Sequence, residues 1–200
     1  MLDSRTGRLG QEREIEVGDA VLYPMFVDVA GRRCVVVGGG GVASRKAHGL
    51  VERGAEVVVI SPEVLPELKA GEVEIRTRPF EPGDLEGAFL AFAATNSREV
   101  NAAVAREARE IGIPVNVADR PAEGDFALPS TLRRGRLQVA VSTGGASPAL
   151  ARRIRAALEP TFAPEWSGIV ERFRSARERG TTVDSDTEGE VVRCLSRLRG

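Results

Sequence analysis

Residues 34–61, CVVVGGGGVASRKAHGLVERGAEVVVIS, set a short unbroken apolar run, four glycines and a helical pattern in direct succession. So short and continuous a run suits a strand buried on both faces, as in a parallel sheet. Val42, Ala43, Ala47, Leu50 and Val51 then recur near helical spacing, Gly54 offers a C-terminal stop, and AEVVVIS reads as a second strand. A glycine-rich turn between a buried strand and a helix has a specific use. Without side chains its backbone can approach a pyrophosphate, while the helix N-terminus presents unpaired N–H groups and partial positive charge. Gly38, Gly40 and Ala43 fit the GxGxxG/A spacing, with Gly39, Gly41 and Val42 completing the turn. The competing reading is a loop that only turns a corner; the strand–turn–helix setting favours a dinucleotide site.

The rhythm continues along the chain. VEIRTRPF alternates like a third, partly exposed strand, AFLAFAAT is an apolar fourth, and IPVNVAD gives a fifth. SREVNAAVAREAREIG is an amphipathic helix with Ser97 as N-cap and Gly112 as stop. Strands alternating with helices imply right-handed crossovers and a doubly wound, Rossmann-like parallel sheet of the α/β class over roughly residues 22–118. In such a sheet the strand ends carry the cofactor crevice. The acid usually found at the end of the second strand is missing; Ser61 and Pro62 stand there and Glu63 comes two residues late. Glu63 either reaches the ribose or opens a solvated turn, and no arginine nearby welcomes a 2′-phosphate, so the expected cofactor is NAD. Thr95 and Asn96 follow the fourth strand and either line the crevice or serve as ordinary turn residues.

After Asp119 the pattern changes. DFALPSTLRRGRLQVAVST reads as two strands around an RRG turn, too little sheet to stand alone, and a second copy of the chain would supply a partner surface. SPALARRIRAALE opens a helix with Ser147 as N-cap and Pro148 at its first position. APEWSGIVERFRSARERG is a further amphipathic helix with Trp166, Ile169, Val170 and Phe173 on one side. The expected divisions are a polar tail at 1–20, a nucleotide-binding domain at 21–119, a dimerisation region at 120–150, a helical part at 151–180, and an acidic, polar tail at 181–200 with a short last helix.

Composition narrows the function. Net charge is −1 and aromatics are 4% of 200 residues, which argues against nucleic acid and against an anionic membrane surface. No apolar run reaches the ~18 residues of a membrane span, and the polar start lacks a signal-peptide centre, so the cytoplasm is expected. Cys34 and Cys194 lie far apart and His48 is the one histidine, so no metal site is legible; His48 reads as a partly buried surface residue.

YPMFVDVAGRRCVVVGGGGVASRKAHGLVERGA, FAATNSREVN, VNVADRPAEGDFALPSTLRRGRL and VAVSTGGASPALARRIR together resemble the precorrin-2 dehydrogenase/sirohydrochlorin ferrochelatase family, the module that begins bifunctional siroheme synthases. The resemblance covers roughly residues 23–175. It implies a nucleotide-binding domain, a strand-bearing dimerisation region and a helical C-terminal part in a homodimer. It also implies NAD-dependent oxidation of precorrin-2 to sirohydrochlorin and, in some members, insertion of Fe²⁺. The family's essential aspartate falls on Asp119. Its SSGG(T/A)SP motif stands here as STGGASP, residues 142–148, so Thr143 replaces a serine that some members phosphorylate.

The residues make chemical sense beside the resemblance. A carboxylate at the crevice end of the fifth strand suits proton removal during oxidation, or holding of Fe²⁺; the alternative is an aspartate capping a turn before Pro121. A substrate with eight carboxylates needs a cationic pocket, and residues 120–160 hold seven arginines against three acids. Arg120, Arg133, Arg134 and Arg152 are the candidates for bidentate carboxylate pairs, although a solvated helix face accounts for some of the charge. Ser142, Thr143, Gly144, Gly145 and Ser147 form a second glycine turn before a helix, suited to a carboxylate or equally to a plain cap. The competing functions are a non-catalytic NAD(H)-binding regulatory module and a monofunctional dehydrogenase without chelatase activity.

Overall fold

The computed structural model describes residues 22–198, so the expectations for residues 1–20 lie outside the described residues. Five parallel strands form one sheet: β1 Arg33–Val37, β2 Glu56–Ile60, β3 Glu74–Arg76, β4 Leu90–Ala93 and β5 Val115–Val117. Their order is β3-β2-β1-β4-β5, so the winding reverses between β1 and β4. That reversal opens a crevice at the carboxyl ends of the two strands. The register is continuous across it, with Val37 paired to Ile60 on one side and to Ala93 on the other.

The unbroken apolar character of β1 follows from its two buried faces. Cys34 and Val36 pack with Ala43, Ala47 and Leu50 of α1, Gly41–Val51. Val35 and Val37 pack with Val104, Ala105 and Ala108 of α3, Arg98–Ile111. Each fully buried valine contributes about 1.5–3 kcal/mol, and alternate residues serve opposite layers. The Cys34 thiol is pushed up to about 11 by burial, consistent with an inert packed side chain. Ser97 caps α3 by accepting from the Val100 N–H at 3.3 Å, and Gly112 ends it at φ +73°. A short helix, α2 Pro66–Lys69, follows β2.

Contacts within the chain divide it into two units at Phe126 and Ala127, seven residues later than expected from the sequence. The segment 118–126 folds back on β5: the Asp125 N–H donates to the Val115 carbonyl at 2.8 Å and Asn116 Nδ2 to the Phe126 carbonyl at 2.8 Å. Gly124 permits this approach, because a Cβ there would stand 2.9 Å from the Val115 carbonyl oxygen.

The second unit, residues 127–198, does not split further. β6 Ser130–Arg134 and β7 Leu137–Val141 form an antiparallel hairpin, against which α4 Pro148–Leu158 packs. α5, Trp166–Glu178, packs on β7 and on α6, Ser185–Ser196. Trp166, Ile169 and Cys194 form its core with Phe162 and Val170 around them. Phe173, expected on the packed side, is exposed. The short last helix expected in the polar tail starts earlier, at Ser185, since Asp184 caps α6 by accepting from the Thr187 N–H at 2.7 Å and the acidic first turn suits the helix dipole.

Candidate functional site

In the first unit a cleft of about 770 Å³ lies at the carboxyl ends of β1, β2, β4 and β5. That size falls in the range of small-molecule sites. Gly38–Val42 form one wall, Ser61–Leu65 and Phe80 another, and Thr95, Asn96, Ser97, Ala118 and Asp119 the third.

The glycines divide into two pairs with different tasks. Gly38 holds φ +128°, and a Cβ there would lie 2.3 Å from the Ala94 carbonyl oxygen. A Cβ on Gly39 would lie 1.8 Å from the Glu63 carbonyl oxygen. Both are glycine so that β1 can pass its neighbouring loops. Gly40 is the N-cap of α1, in extended backbone, and an added Cβ would meet no protein atom within 4 Å. Gly41 is similarly open, with only Arg45 Nη1 at 3.7 Å. Backbone N–H groups of this first turn lack intrahelical partners, and no acidic side chain occupies it. Ala43 is fully buried against the sheet, as the third small position requires, while Val42 is exposed at the cleft.

Ser61 lines the cleft but is buried, and its hydroxyl donates to the Glu63 carbonyl at 2.6 Å, which shapes the loop. Pro62 and Glu63 are exposed on the rim. No lysine or arginine lines the cleft, and Glu63 is one of its two carboxylates. These features fit NAD: a bare backbone wall at a helix N-terminus for the pyrophosphate, an acid for a ribose, and no cation for a 2′-phosphate.

Asp119 lies two residues beyond the end of β5, on the cleft wall. Its Oδ1 accepts from Asn101 Nδ2 at 2.8 Å, and its Oδ2 stands 3.8 Å from Arg98 Nη1. Arg98 also pairs with Glu123. Thr95 Oγ1 lies 2.8 Å from Asn101 Oδ1, so this threonine is tied to the same cluster, whereas Asn96 is exposed at the cleft. Asn101 and Arg98 are the residues that sequence reasoning missed. The available signal was an asparagine among the apolar positions of the α3 pattern. Arg120 is exposed, 3.7 Å from Glu123.

The remaining candidates lie in the second unit. Arg133 Nε donates to the Gly135 carbonyl at 3.0 Å and Arg134 Nη1 to the Arg133 carbonyl at 2.9 Å, both within the hairpin turn. Arg152 is exposed on α4. Ser147 is the N-cap of α4, accepting from the Leu150 N–H at 3.1 Å. Thr143 Oγ1 accepts from the Ser147 N–H at 3.0 Å, and Ser142 Oγ accepts from the Gly144 N–H at 3.2 Å. Gly144 and Gly145 take φ +61° and +87°, conformations the turn needs. These hydroxyls build the turn. Half-buried His48 bonds the Ser44 carbonyl at 2.9 Å and does not line the cleft.

Residues 25–130, more than half of the chain, match the family model described as "Putative NAD(P)-binding". The chain belongs to this family. Residues 134–159 match a second model, "Sirohaem biosynthesis protein central". The siroheme synthase of Methylobacillus flagellatus is 43% identical over 171 residues, covering 78% of this chain and 37% of the relative. That of Methylococcus capsulatus is 44% identical over 160 residues, covering 78% and 34%. The chain therefore spans a little over a third of the length of these relatives. Among solved structures, SirC, a precorrin-2 dehydrogenase, matches at 28% identity and a TM-score of 0.65, covering 84% of this chain and 86% of that one. The resemblance drawn from the four sequence blocks is borne out, as is the doubly wound fold.

Proposed function

We propose that this chain oxidises precorrin-2 to sirohydrochlorin, with NAD⁺ in the cleft of the first unit and Asp119 as the general base. The observation that carries the reading is that a carboxylate and the open glycine wall share one cleft. Similarity to siroheme synthases and to SirC supports the choice of substrate.

Bound NAD⁺ supplies the hydride acceptor. Gly40, Gly41 and Val42 hold the pyrophosphate through their backbone, and Glu63 bonds a ribose hydroxyl. Oxidation breaks two bonds to hydrogen in the tetrapyrrole: one hydrogen leaves with its electron pair and the other as a proton. Asp119 takes the proton on Oδ2, the oxygen with no hydrogen-bond partner among the described residues. Arg120, next to Asp119 in the same unit, is assigned to a substrate carboxylate.

Two further parts belong to the proposal: insertion of Fe²⁺ into the product, and pairing of two copies through the β6–β7 hairpin. Among the described residues no three His, Cys, Asp or Glu side chains come together as a metal site, so iron handling is assigned to Asp119 with the macrocycle itself. Likewise, no helix among them is long and apolar enough to cross a membrane.

The test incubates pure protein with precorrin-2 and NAD⁺ and follows NADH together with the sirohydrochlorin spectrum. Asp119→Ala should abolish turnover while NAD⁺ binding persists. Folded protein that shows no NAD⁺-dependent conversion refutes the reading. Sirohydrochlorin with Fe²⁺, measured against the uncatalysed rate, tests chelation separately, and sedimentation tests the dimer.

A further inference from the structure

Asn101 sits on the sheet-facing side of α3 beside Val104, Ala105 and Ala108 and is 1% exposed. A primary amide in such a place is strongly disfavoured unless its donors and acceptors are all bonded. Here each is used. Oδ1 accepts from the Thr95 N–H at 3.1 Å and faces Thr95 Oγ1 at 2.8 Å; Nδ2 donates to the Thr95 carbonyl at 3.1 Å and to Asp119 Oδ1 at 2.8 Å.

The orientation of the amide follows from chemistry. The Thr95 N–H can only donate and must face Oδ1, while the Thr95 carbonyl can only accept and must face Nδ2. The remaining N–H of Nδ2 is thereby aimed at Asp119. The other oxygen of Asp119 is left for a proton.

The bond to Asp119 is not what holds its loop in place. Residues 118–126 are tied down independently by Val115 N–H to Asp125 Oδ2 at 2.9 Å, by Asn116 to the Phe126 carbonyl, by the ion pair of Arg98 with Glu123, and by Arg109 Nη2 to the Glu123 carbonyl at 2.7 Å. Losing the Asn101 amide leaves the carboxylate without its one hydrogen bond, held only by the longer Arg98 contact at 3.8 Å and able to change rotamer, while the backbone stays where it is.

We infer that Asn101 is a positioning residue for Asp119: its amide, itself anchored on Thr95, fixes the carboxylate on the cleft wall and presents one defined oxygen to the substrate. This rests on the reading of Asp119 as the base. A misplacement of about 1 Å at a reacting group costs on the order of 100-fold in rate.

The experiment compares Asn101→Ala, Asn101→Asp, Asp119→Ala and the swap N101D/D119N in the full-length protein, reading kcat and KM for precorrin-2, NAD⁺ affinity and melting temperature. Asn101→Ala should lower kcat about 100-fold, with KM and NAD⁺ affinity within about threefold. Asn101→Asp keeps the shape and both Thr95 bonds to Oδ1 but sets a carboxylate against Asp119, and should lose kcat and melting temperature together. The swap restores an amide–carboxylate pair, so melting temperature should recover while kcat stays low, because the base has moved. Folded Asn101→Ala or Asn101→Asp protein with kcat within threefold of the unaltered chain, beside an inactive Asp119→Ala, overturns the inference alone. Turnover by Asp119→Ala overturns the reading of the base and the inference with it.

Discussion

Replacing Gly39 and Gly40 with alanine, one at a time, separates packing from binding in the glycine run. The two positions adjoin, yet a methyl at Gly39 would stand 1.8 Å from the Glu63 carbonyl oxygen and 2.8 Å from its carbon, whereas one at Gly40 meets nothing within 4 Å. The Glu63 carbonyl cannot yield freely, because it already accepts from the Ser61 hydroxyl, and the same loop donates the Leu65 N–H to the Gly39 carbonyl at 3.0 Å. Overpacking against backbone costs about 1–3 kcal/mol, which for a chain of this size lowers the melting temperature by about 3–9 °C. Gly40 has φ −85° and ψ −176°, which alanine adopts without strain, so Gly40→Ala should hold or raise stability by about 0.5 kcal/mol. Its methyl would instead stand on the cleft wall where a pyrophosphate must approach the backbone. NAD⁺ affinity should fall about 10–100-fold, equivalent to about 1.4–2.7 kcal/mol. Thermal melts and isothermal titration with NAD⁺ on both variants read the two effects apart. Unchanged NAD⁺ affinity in Gly40→Ala would remove the pyrophosphate from this wall. Unchanged melting in Gly39→Ala would refute the packing argument.

Two further predictions concern charge. Asp84, buried in the turn before β4, receives both terminal guanidinium nitrogens of Arg78, the Glu81 N–H at 2.9 Å and Arg76 at 3.5 Å; hydrogen bonding from Arg78 is the main cause holding its carboxyl below the usual range. That stability is present above the unfolded pKa and is lost as pH falls through the lower folded one, so Asp84→Asn should flatten the acid limb of a pH–melting curve and cost about 2 kcal/mol near neutrality. Lys46 reaches past the Phe92 ring to Asn116 Oδ1 at 2.6 Å, and burial brings its ammonium down to about 8. On this side chain the unfolded chain then holds more protons between about pH 8 and 10.4, a rise in stability with pH that the Cys34 thiol, raised to about 11, opposes, so Lys46→Met should remove the rising part and leave a curve that falls with pH in melts buffered from pH 7.5 to 10.5.

The positions of the first five strands and the caps of α3 were legible because each is a local fact: an apolar run, a serine before a periodic segment, a glycine after it. Glycine spacing likewise identified the nucleotide wall, but it assigned one task to four residues that the fold divides between packing and binding. That division depends on Ala94 and Glu63, which approach only when β2 and β4 flank β1. The first half of α6 was hidden for a different reason: TTVDSDTEGE is polar enough to read as a tail, and the helix extends back into it only when Thr187 and Cys194 find α5. Asn101 was the hardest to see. On α3 it looks like a minor flaw in an apolar stripe, and its partners, Thr95 and Asp119, stand 6 residues before and 18 after it. Parallel strands β4 and β5 bring their carboxyl ends to the same edge, and α3 connects them, so a residue in its first turns faces both ends at once. The connection that forces the crossover is therefore also the one that can hold a side chain from each strand end in a single geometry. For a doubly wound sheet, a polar residue on the inner face near the start of a crossover helix is a site candidate even when no motif marks it.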